Sequence, residues 1–294
     1  MGKVLLTGFS GFLGSTILNF LESENYEIIK AGRNKESDIQ FNLLKDTLPK
    51  VDVDYVIHVA GKAHVIPKTE LEKEAFFKVN FIGTKNLVDG LNLKKLKTFI
   101  FISSVAVYGV DSGELIEENH PLKGNTPYAL SKIKAEELLI DFGKRNNIKI
   151  VILRLPLITG KNPVGNLSSI IKAIQKGYYF RIGKGEAKRS LISALDVANV
   201  IPHLLNLNGV YNYTDCHHPE IAEIDSAIAR EYNKKIRKLP KIILKVIGKF
   251  GDIIPLFPFN SNKFEKLTST LTFSNRKILK KINYRPLSGL KDIV

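Results

Sequence analysis

The stretch that most constrains this chain is Lys3-Val4-Leu5-Leu6-Thr7-Gly8-Phe9-Ser10-Gly11-Phe12-Leu13-Gly14. An apolar run from Val4 to Leu6 is broken by Thr7-Gly8. Phe12, Leu13, Ile17, Leu18 and Leu21 then return at helical spacing. The pattern predicts a strand passing through a tight glycine turn into a helix. In such a turn Gly8 permits the reversal, Gly11 lets a pyrophosphate approach the backbone, and Gly14 lets helix and strand lie close. The helix N-terminus then faces the phosphate charge. Glycine triplets also mark ordinary turns, so the position between strand and helix is what carries the meaning.

The alternation continues. Strands are expected from Tyr26 to Ala31, Tyr55 to Val59, Thr98 to Ile102 and Lys149 to Leu153. Helical spacing recurs around Phe76, Phe77, Val79, Phe81, Leu87 and Leu91, and again from Pro127, a first-turn proline, to about Arg145. Strands alternating with helices over short connections predict an α/β fold with a doubly wound, parallel Rossmann sheet. Residues 1–160 form the expected nucleotide-binding domain. Residues 161–294 are expected to be mainly a substrate-binding lobe over the sheet's carboxyl edge, with some segments returning to the sheet. Helices are expected there from Leu167 to Lys176 and after Asp196.

Composition narrows the partners. The lone cysteine, Cys216, excludes an internal disulfide and fits a reducing compartment. The first strand follows Met1-Gly2-Lys3 directly, leaving no room for a signal peptide, and no apolar run reaches the ~18 residues of a membrane span. A cytoplasmic location is the expectation. The net charge of +15 is spread along the chain without an aromatic-rich basic motif, so no nucleic-acid partner is expected. Anionic small molecules and anionic membrane surfaces are the other partners of such charge. Solvated helix faces account for the larger share of it.

Tyr128-Ala129-Leu130-Ser131-Lys132 is the second motif. Positions i and i+4 share a helix face, so the Tyr128 hydroxyl and Lys132 ammonium can converge on one ligand. A nearby ammonium favours phenolate, which predicts a Tyr128 pKa moved down toward the operating pH. Ser104, just after a strand, can hydrogen-bond a substrate oxygen. At the end of the second strand stand Ala31, Gly32 and Arg33, with Asp38 further on. A ribose 2′-hydroxyl calls for a carboxylate there and a 2′-phosphate for arginine, so NADP(H) is favoured and NAD(H) stands as the alternative. In Asp215-Cys216-His217-His218, adjacent histidines on an extended segment point to opposite sides, so these read as surface residues rather than metal ligands.

The glycine loop, Phe101-Ile102-Ser103-Ser104-Val105-Ala106-Val107-Tyr108-Gly109 and Tyr128-x-x-x-Lys132 together resemble the extended short-chain dehydrogenase/reductases, which act mostly on nucleotide-diphosphate sugars. Arg154-Leu155-Pro156-Leu157-Ile158-Thr159-Gly160 and the segment from Lys188 to Ala198 are similar to further motifs of that family, as is the tail from Ser274 to Leu290. The resemblance covers nearly the whole chain. It implies Ser104, Tyr128 and Lys132 as catalytic residues. It implies cofactor contacts at Gly8, Ser10, Gly11, Phe12, Leu13, Gly14, Arg33, Asn42, Leu43, Val59, Ala60, Gly61, Tyr128, Lys132 and Leu155. Substrate contacts are implied at Ser103, Asn166, Leu167 and Arg189, with Arg189 on the diphosphate of a nucleotide-diphosphate sugar. A homodimer is compatible with it.

Departures from the family pattern select the reaction. Val105-Ala106 stands where dehydratases carry an acidic pair, which argues against C5–C6 elimination. Arg189-Ser190 replaces the usual Arg-Asp, and Lys62 is displaced by one position from an epimerase lysine. The leading reading is reduction of a 4-keto sugar with Tyr128 as proton donor. The alternative is a 4-epimerase with tightly held NAD, and a third reading is a cofactor-binding regulator without catalysis. From Lys241 to Phe259, Ile242, Ile243, Val246, Ile247, Phe250, Ile253 and Ile254 recur at helical steps, with Lys241, Lys245 and Lys249 one turn apart. Pro255 and Pro258 would end that helix. It reads as a cover for the lobe or a subunit contact, with weak docking on an anionic membrane as the alternative.

Overall fold

A computed structural model describes residues 2–46, 48–253 and 259–293. The expected turn after Ile254, at Pro255 and Pro258, lies outside the described residues.

β1 (Lys3–Thr7) leads into α1 (Phe12–Ser23), followed by β2 (Glu27–Gly32), the short β3 (Ile39–Gln40) and β4 (Tyr55–His58). α2 (Glu70–Phe77) continues through a π turn over Lys78–Ile82 into α3 (Gly83–Asp89). β5 (Thr98–Ser104) ends in a single 3₁₀ turn, and after β6 (Gly113–Ile116) come α4 (Pro127–Asn146) and β7 (Lys149–Leu155). The rest comprises β8 (Leu157–Thr159), α5 (Asn166–Gln175), β9 (Phe180–Ile182), β10 (Leu191–Ser193), α6 (Ala194–Leu204) and β11 (Gly209–Asn212). Then follow α7 (Ile221–Glu231), β12 (Arg237–Leu239), α8 (Lys241–Ile253), α9 (Ser261–Thr268), β13 (Leu271–Phe273) and α10 (Arg276–Leu279).

Seven of these strands form one parallel sheet in the order β3-β2-β1-β4-β5-β7-β11. Strand alternation sorts its side chains into two layers. Val4, Leu6, Ile100, Ile102, Val151 and Leu153 face one way, onto Leu13, Ile17 and Leu21 of α1 and Val197 and Ile201 of α6. Leu5, Val56, Phe99, Phe101, Ile150 and Ile152 face the other, onto Leu87 and Val88 of α3 and Ala135, Leu139 and Phe142 of α4. Helices on both faces are why the strands read as nearly unbroken apolar runs. The order reverses between β1 and β4, and the crevice at their carboxyl ends is where such sheets take ligands.

α4 is fixed at its start by Pro127 at its head and by the Thr126 hydroxyl, which accepts the Ala129 N–H at 3.1 Å. α6 begins two residues before Asp196, because the Ser193 hydroxyl accepts the Leu195 N–H at 3.1 Å. A separate apolar cluster joins Leu167, Ile171 and Ile174 of α5 to Ile224 and Ile228 of α7 and to Ile293. Among the described residues, α8 contributes none to these clusters. Its apolar residues Ile242, Val246 and Phe250 are exposed, against the reading that it covers the lobe.

Candidate active site and cofactor cleft

The crevice is made by close approach of two loops. Gly8 sits at φ +74°, and a Cβ there would fall 2.5 Å from the Ala60 nitrogen, so the loop after β1 lies directly on the loop after β4. A Cβ on Gly14 would fall 1.9 Å from the Gly8 carbonyl oxygen, so α1 is seated against the same turn. Gly11, the residue before α1, offers no side-chain cap, and Ser10 and Gly11 are exposed. The first-turn N–H groups of Phe12 and Leu13 thus open a ready anion cradle. Leu13 itself has a buried side chain and Leu155 is 2% exposed, so only their backbones are available to a ligand. Phe12 is partly buried, and the pyrophosphate end of a dinucleotide fits this cradle.

At the end of β2, Arg33 is exposed, as is Glu36 further along the same turn. Asp38 is turned back on Lys30, accepting its backbone N–H at 2.7 Å with Nζ at 4.0 Å. The Ser37 hydroxyl, next to Gly32, is a buried polar side-chain atom without a hydrogen-bond partner among the described residues. An orphaned hydroxyl beside an exposed guanidinium fits the ribose end of the same ligand. Asn42 and Leu43 form the turn nearby. The Asn42 N–H donates to Asp46 at 2.6 Å, the Leu43 carbonyl accepts from Asn86 at 2.7 Å, and the Leu43 side chain packs over Gly83.

Beyond β4, Val59 and Ala60 are partly buried and Gly61 is exposed. A Cβ on Gly61 would lie 3.1 Å from Asn80 Oδ1 and 3.6 Å from Lys132 Nζ, which places this loop beside the motif on α4. Tyr128 is hydrogen-bonded to Ser104 and meets Phe76 edge-on at 6.2 Å. Lys132 Nζ donates to the Ile102 carbonyl at 2.8 Å and lies 4.3 Å from the centre of the Phe101 ring. The hydroxyl, the phenol and the ammonium are therefore gathered at the carboxyl end of β5.

Their electrostatics differ from the expectation. Burial pushes the Tyr128 phenol up, with the Ser104 hydrogen bond acting the other way. The Lys132 ammonium itself donates to the Ile102 carbonyl. Burial pulls Lys132 down to about 8, against the carboxylate of Glu136.

Three implied substrate residues have partners within the protein. Ser103 alternates away from Ser104 and donates to Glu136 Oε1 at 2.5 Å. Glu136 also takes the Arg154 guanidinium at 2.6 Å, and Arg154 donates to the Tyr108 hydroxyl at 3.1 Å, so Ser103 belongs to a buried brace. Leu167 is fully buried in the lobe core, while its neighbour Asn166 is exposed at the head of α5. Arg189 is half-buried and donates to three backbone carbonyls: Lys188 at 2.8 Å, Ser269 at 2.6 Å and Lys266 at 2.9 Å. Those bonds tie the end of α9 to the strand leading into β10.

Sequence reading missed two positioning groups. Asn80, in the π turn, accepts the Lys62 N–H at 2.7 Å and donates to the Lys62 carbonyl and to Ser131, each at 2.9 Å. An isolated asparagine inside an apolar helical run was the available signal, and π turns concentrate at functional sites. His58 bridges Thr7 (2.6 Å at Nδ1) and Thr84 (2.9 Å at Nε2). Thr84 spends its proton on the Asn80 carbonyl at 2.7 Å, so Nε2 carries the imidazole proton and Nδ1 accepts from Thr7. His217 pairs with Glu223 at 3.3 Å and His218 with Ser190 at 2.9 Å, on separate partners.

Known proteins are similar to this chain over nearly its whole length. UDP-glucose 4-epimerase of Vibrio cholerae is 29% identical over 99% of this chain and 92% of its own. N-acetyl-alpha-D-glucosaminyl-diphospho-ditrans,octacis-undecaprenol 4-epimerase of Escherichia coli O157:H7 is 26% identical over 94% of this chain and 88% of its own. The solved structure of RMD from Pseudomonas aeruginosa complexed with NADPH shares the fold, with a TM-score of 0.70 at 19% identity over 99% of this chain and 98% of that one. Residues 4–213, which hold the glycine cradle, Ser104, Tyr128 and Lys132, match the NAD dependent epimerase/dehydratase family, and the chain belongs to that family.

Proposed function

We propose that the protein is an NADPH-dependent reductase of nucleotide-diphosphate 4-keto sugars, with Ser104, Tyr128 and Lys132 as its catalytic residues. The observation that carries this reading is the end of β2, where Arg33 is exposed, the Ser37 hydroxyl has no partner among the described residues and Asp38 is held by Lys30. That set suits a 2′-phosphate better than a 2′-hydroxyl, which wants a carboxylate. NADPH supplies the hydride that adds to C4. Ser104 holds the keto oxygen, and Tyr128 gives its phenolic proton to the oxygen as it becomes an alkoxide. A phenol pushed up by burial is protonated at neutral pH, as a donor must be. Lys132, one helical turn on from Tyr128, is the cation assigned to stabilise the phenolate left when the proton leaves. Arg189 Nε and the exposed Asn166 are the groups assigned to the nucleotide diphosphate in this reading.

A second reading, the 4-epimerase, is favoured by the near full-length likeness to two 4-epimerases. There Tyr128 first removes the O4 proton and must titrate near neutrality. Incubating the protein with NADPH and a panel of UDP- and dTDP-4-keto sugars, while following NADPH loss, separates the two. Stoichiometric turnover of NADPH, tighter binding of NADP(H) than NAD(H), and a narrowed gap in Arg33→Ala are the expected results. Equal affinities, or NAD purifying with the protein in equimolar amount, would replace reduction by epimerisation.

A further inference from the structure

We propose that α8 is a docking element for an anionic lipid bilayer. On a helix, Ile242, Val246 and Phe250 fall one turn apart on a single stripe, and they are 66%, 48% and 62% exposed. Ile243, 47% exposed, widens it. Lys241, Lys245 and Lys249 form the adjacent stripe, all exposed. Lys245 and Lys249 have no ion-pair partner among the described residues, and Lys241 reaches only Glu186 at 3.4 Å.

Gly248 and Asp252, both off the apolar stripe, hold the helix to the protein. Gly248 is buried, and a Cβ there would lie 3.2 Å from the Ser261 nitrogen of α9. The Asp252 carboxylate accepts both the N–H (3.1 Å) and the hydroxyl (2.6 Å) of Ser261. The apolar stripe is thereby fixed outward. An exposed apolar stripe edged by lysines is the arrangement of helices that lie in a membrane interface.

Charge selects the occupant. Between Glu231 and Asp252 the chain carries Lys234, Lys235, Arg237, Lys238, Lys241, Lys245 and Lys249 and no acidic residue. A second copy of the chain packed on the same face would set lysine row against lysine row. An anionic bilayer accepts both the apolar stripe and the cations at once.

The test is flotation of the full-length protein with vesicles of phosphatidylcholine alone and of phosphatidylcholine with phosphatidylglycerol, at low and high salt. Binding to the anionic vesicles that is lost at high salt is the expected result. Lys245→Glu with Lys249→Glu should weaken it by about 25-fold or more, at roughly fivefold for each cation near the surface. Ile242→Ser with Val246→Ser and Phe250→Ser should abolish it, with melting temperature and NADPH affinity unchanged. Equal flotation with neutral and anionic vesicles, or flotation with neither, overturns the proposal for the unmodified protein. So does a triple-serine variant that still floats but converts a dimer to a monomer in light scattering, which would assign the face to a second copy.

Discussion

Asn80 and Lys62 are joined by two reciprocal hydrogen bonds, Lys62 N–H to Asn80 Oδ1 at 2.7 Å and Asn80 Nδ2 to the Lys62 carbonyl at 2.9 Å. The pair behaves as a piece of sheet ladder supplied by one side chain. It holds the loop after β4 at the height of Lys132, and Ser131 anchors the same carboxamide to α4. Replacing Asn80 by Ala leaves the Lys62 groups without their partner, at a cost of about 1–3 kcal/mol. The loop then shifts relative to Tyr128, and a displacement of about 1 Å costs on the order of 10²-fold in turnover. Denaturant unfolding and steady-state kinetics on Asn80→Ala would show both losses; parental turnover would make the clamp purely structural.

Gly11 and Gly14 separate ligand binding from folding. A Cβ on Gly11 meets only the Gly8 oxygen at an ordinary 3.4 Å, whereas one on Gly14 would sit 1.9 Å from it. Gly11→Ala should keep the parental melting temperature and weaken NADPH binding about tenfold or more, because the methyl stands where the pyrophosphate approaches. Gly14→Ala should lower the melting temperature as well. Calorimetric binding and thermal unfolding of the two variants decide it, and parental affinity in Gly11→Ala would move the phosphates elsewhere.

Tyr128→Phe removes one hydroxyl and leaves the ring against Phe76. Fold and cofactor affinity should persist while turnover falls by about 10²–10⁴-fold, the usual worth of a general acid. Near-parental turnover in single-cycle kinetics would assign proton delivery to another group.

His58 makes stability fall in acid. Buried between Thr7 and Thr84, with Lys132 nearby, its imidazole is pulled down from 6.5 to about 3, chiefly by burial. The unfolded chain takes up this proton below 6.5 and the folded chain only near 3, so stability is intact above the first value and drains between the two. The full loss is about 5 kcal/mol as an order of magnitude. Urea unfolding of the parent across that window should show the slope. In His58→Gln the slope should flatten, whatever the variant's starting stability.

The glycine turn and the Tyr128–Lys132 pair were legible because each is local. One is a switch from strand to helix, the other two residues one turn apart on a helix. The choice between Ser103 and Ser104 was not, since it depends on β5 running through both residues and facing them oppositely, with Glu136 waiting on one side. Arg189 stands where a diphosphate ligand is expected, but the carbonyls it serves at Lys266 and Ser269 lie about 80 residues downstream, in no sequence pattern. The turn at β2 could be read for its arginine but not for the fate of Asp38, which β3 turns toward Lys30. Burial of Tyr128 and Lys132 was equally invisible, and it reversed the expected direction for the phenol.

β11 closes the sheet along β7, where Val210 and Tyr211 stand opposite Ile152 and Leu153, and the Leu205 carbonyl just before it takes the Thr98 hydroxyl at 2.6 Å. During synthesis this edge stays open until about fifty more residues have followed β7 out of the ribosome. A nascent or truncated chain stopping near residue 160 would display an apolar, unpaired strand of the kind that recruits other chains. The nucleotide-binding half is therefore not a detachable cassette, and swaps between relatives should carry the segment through Tyr213 with it.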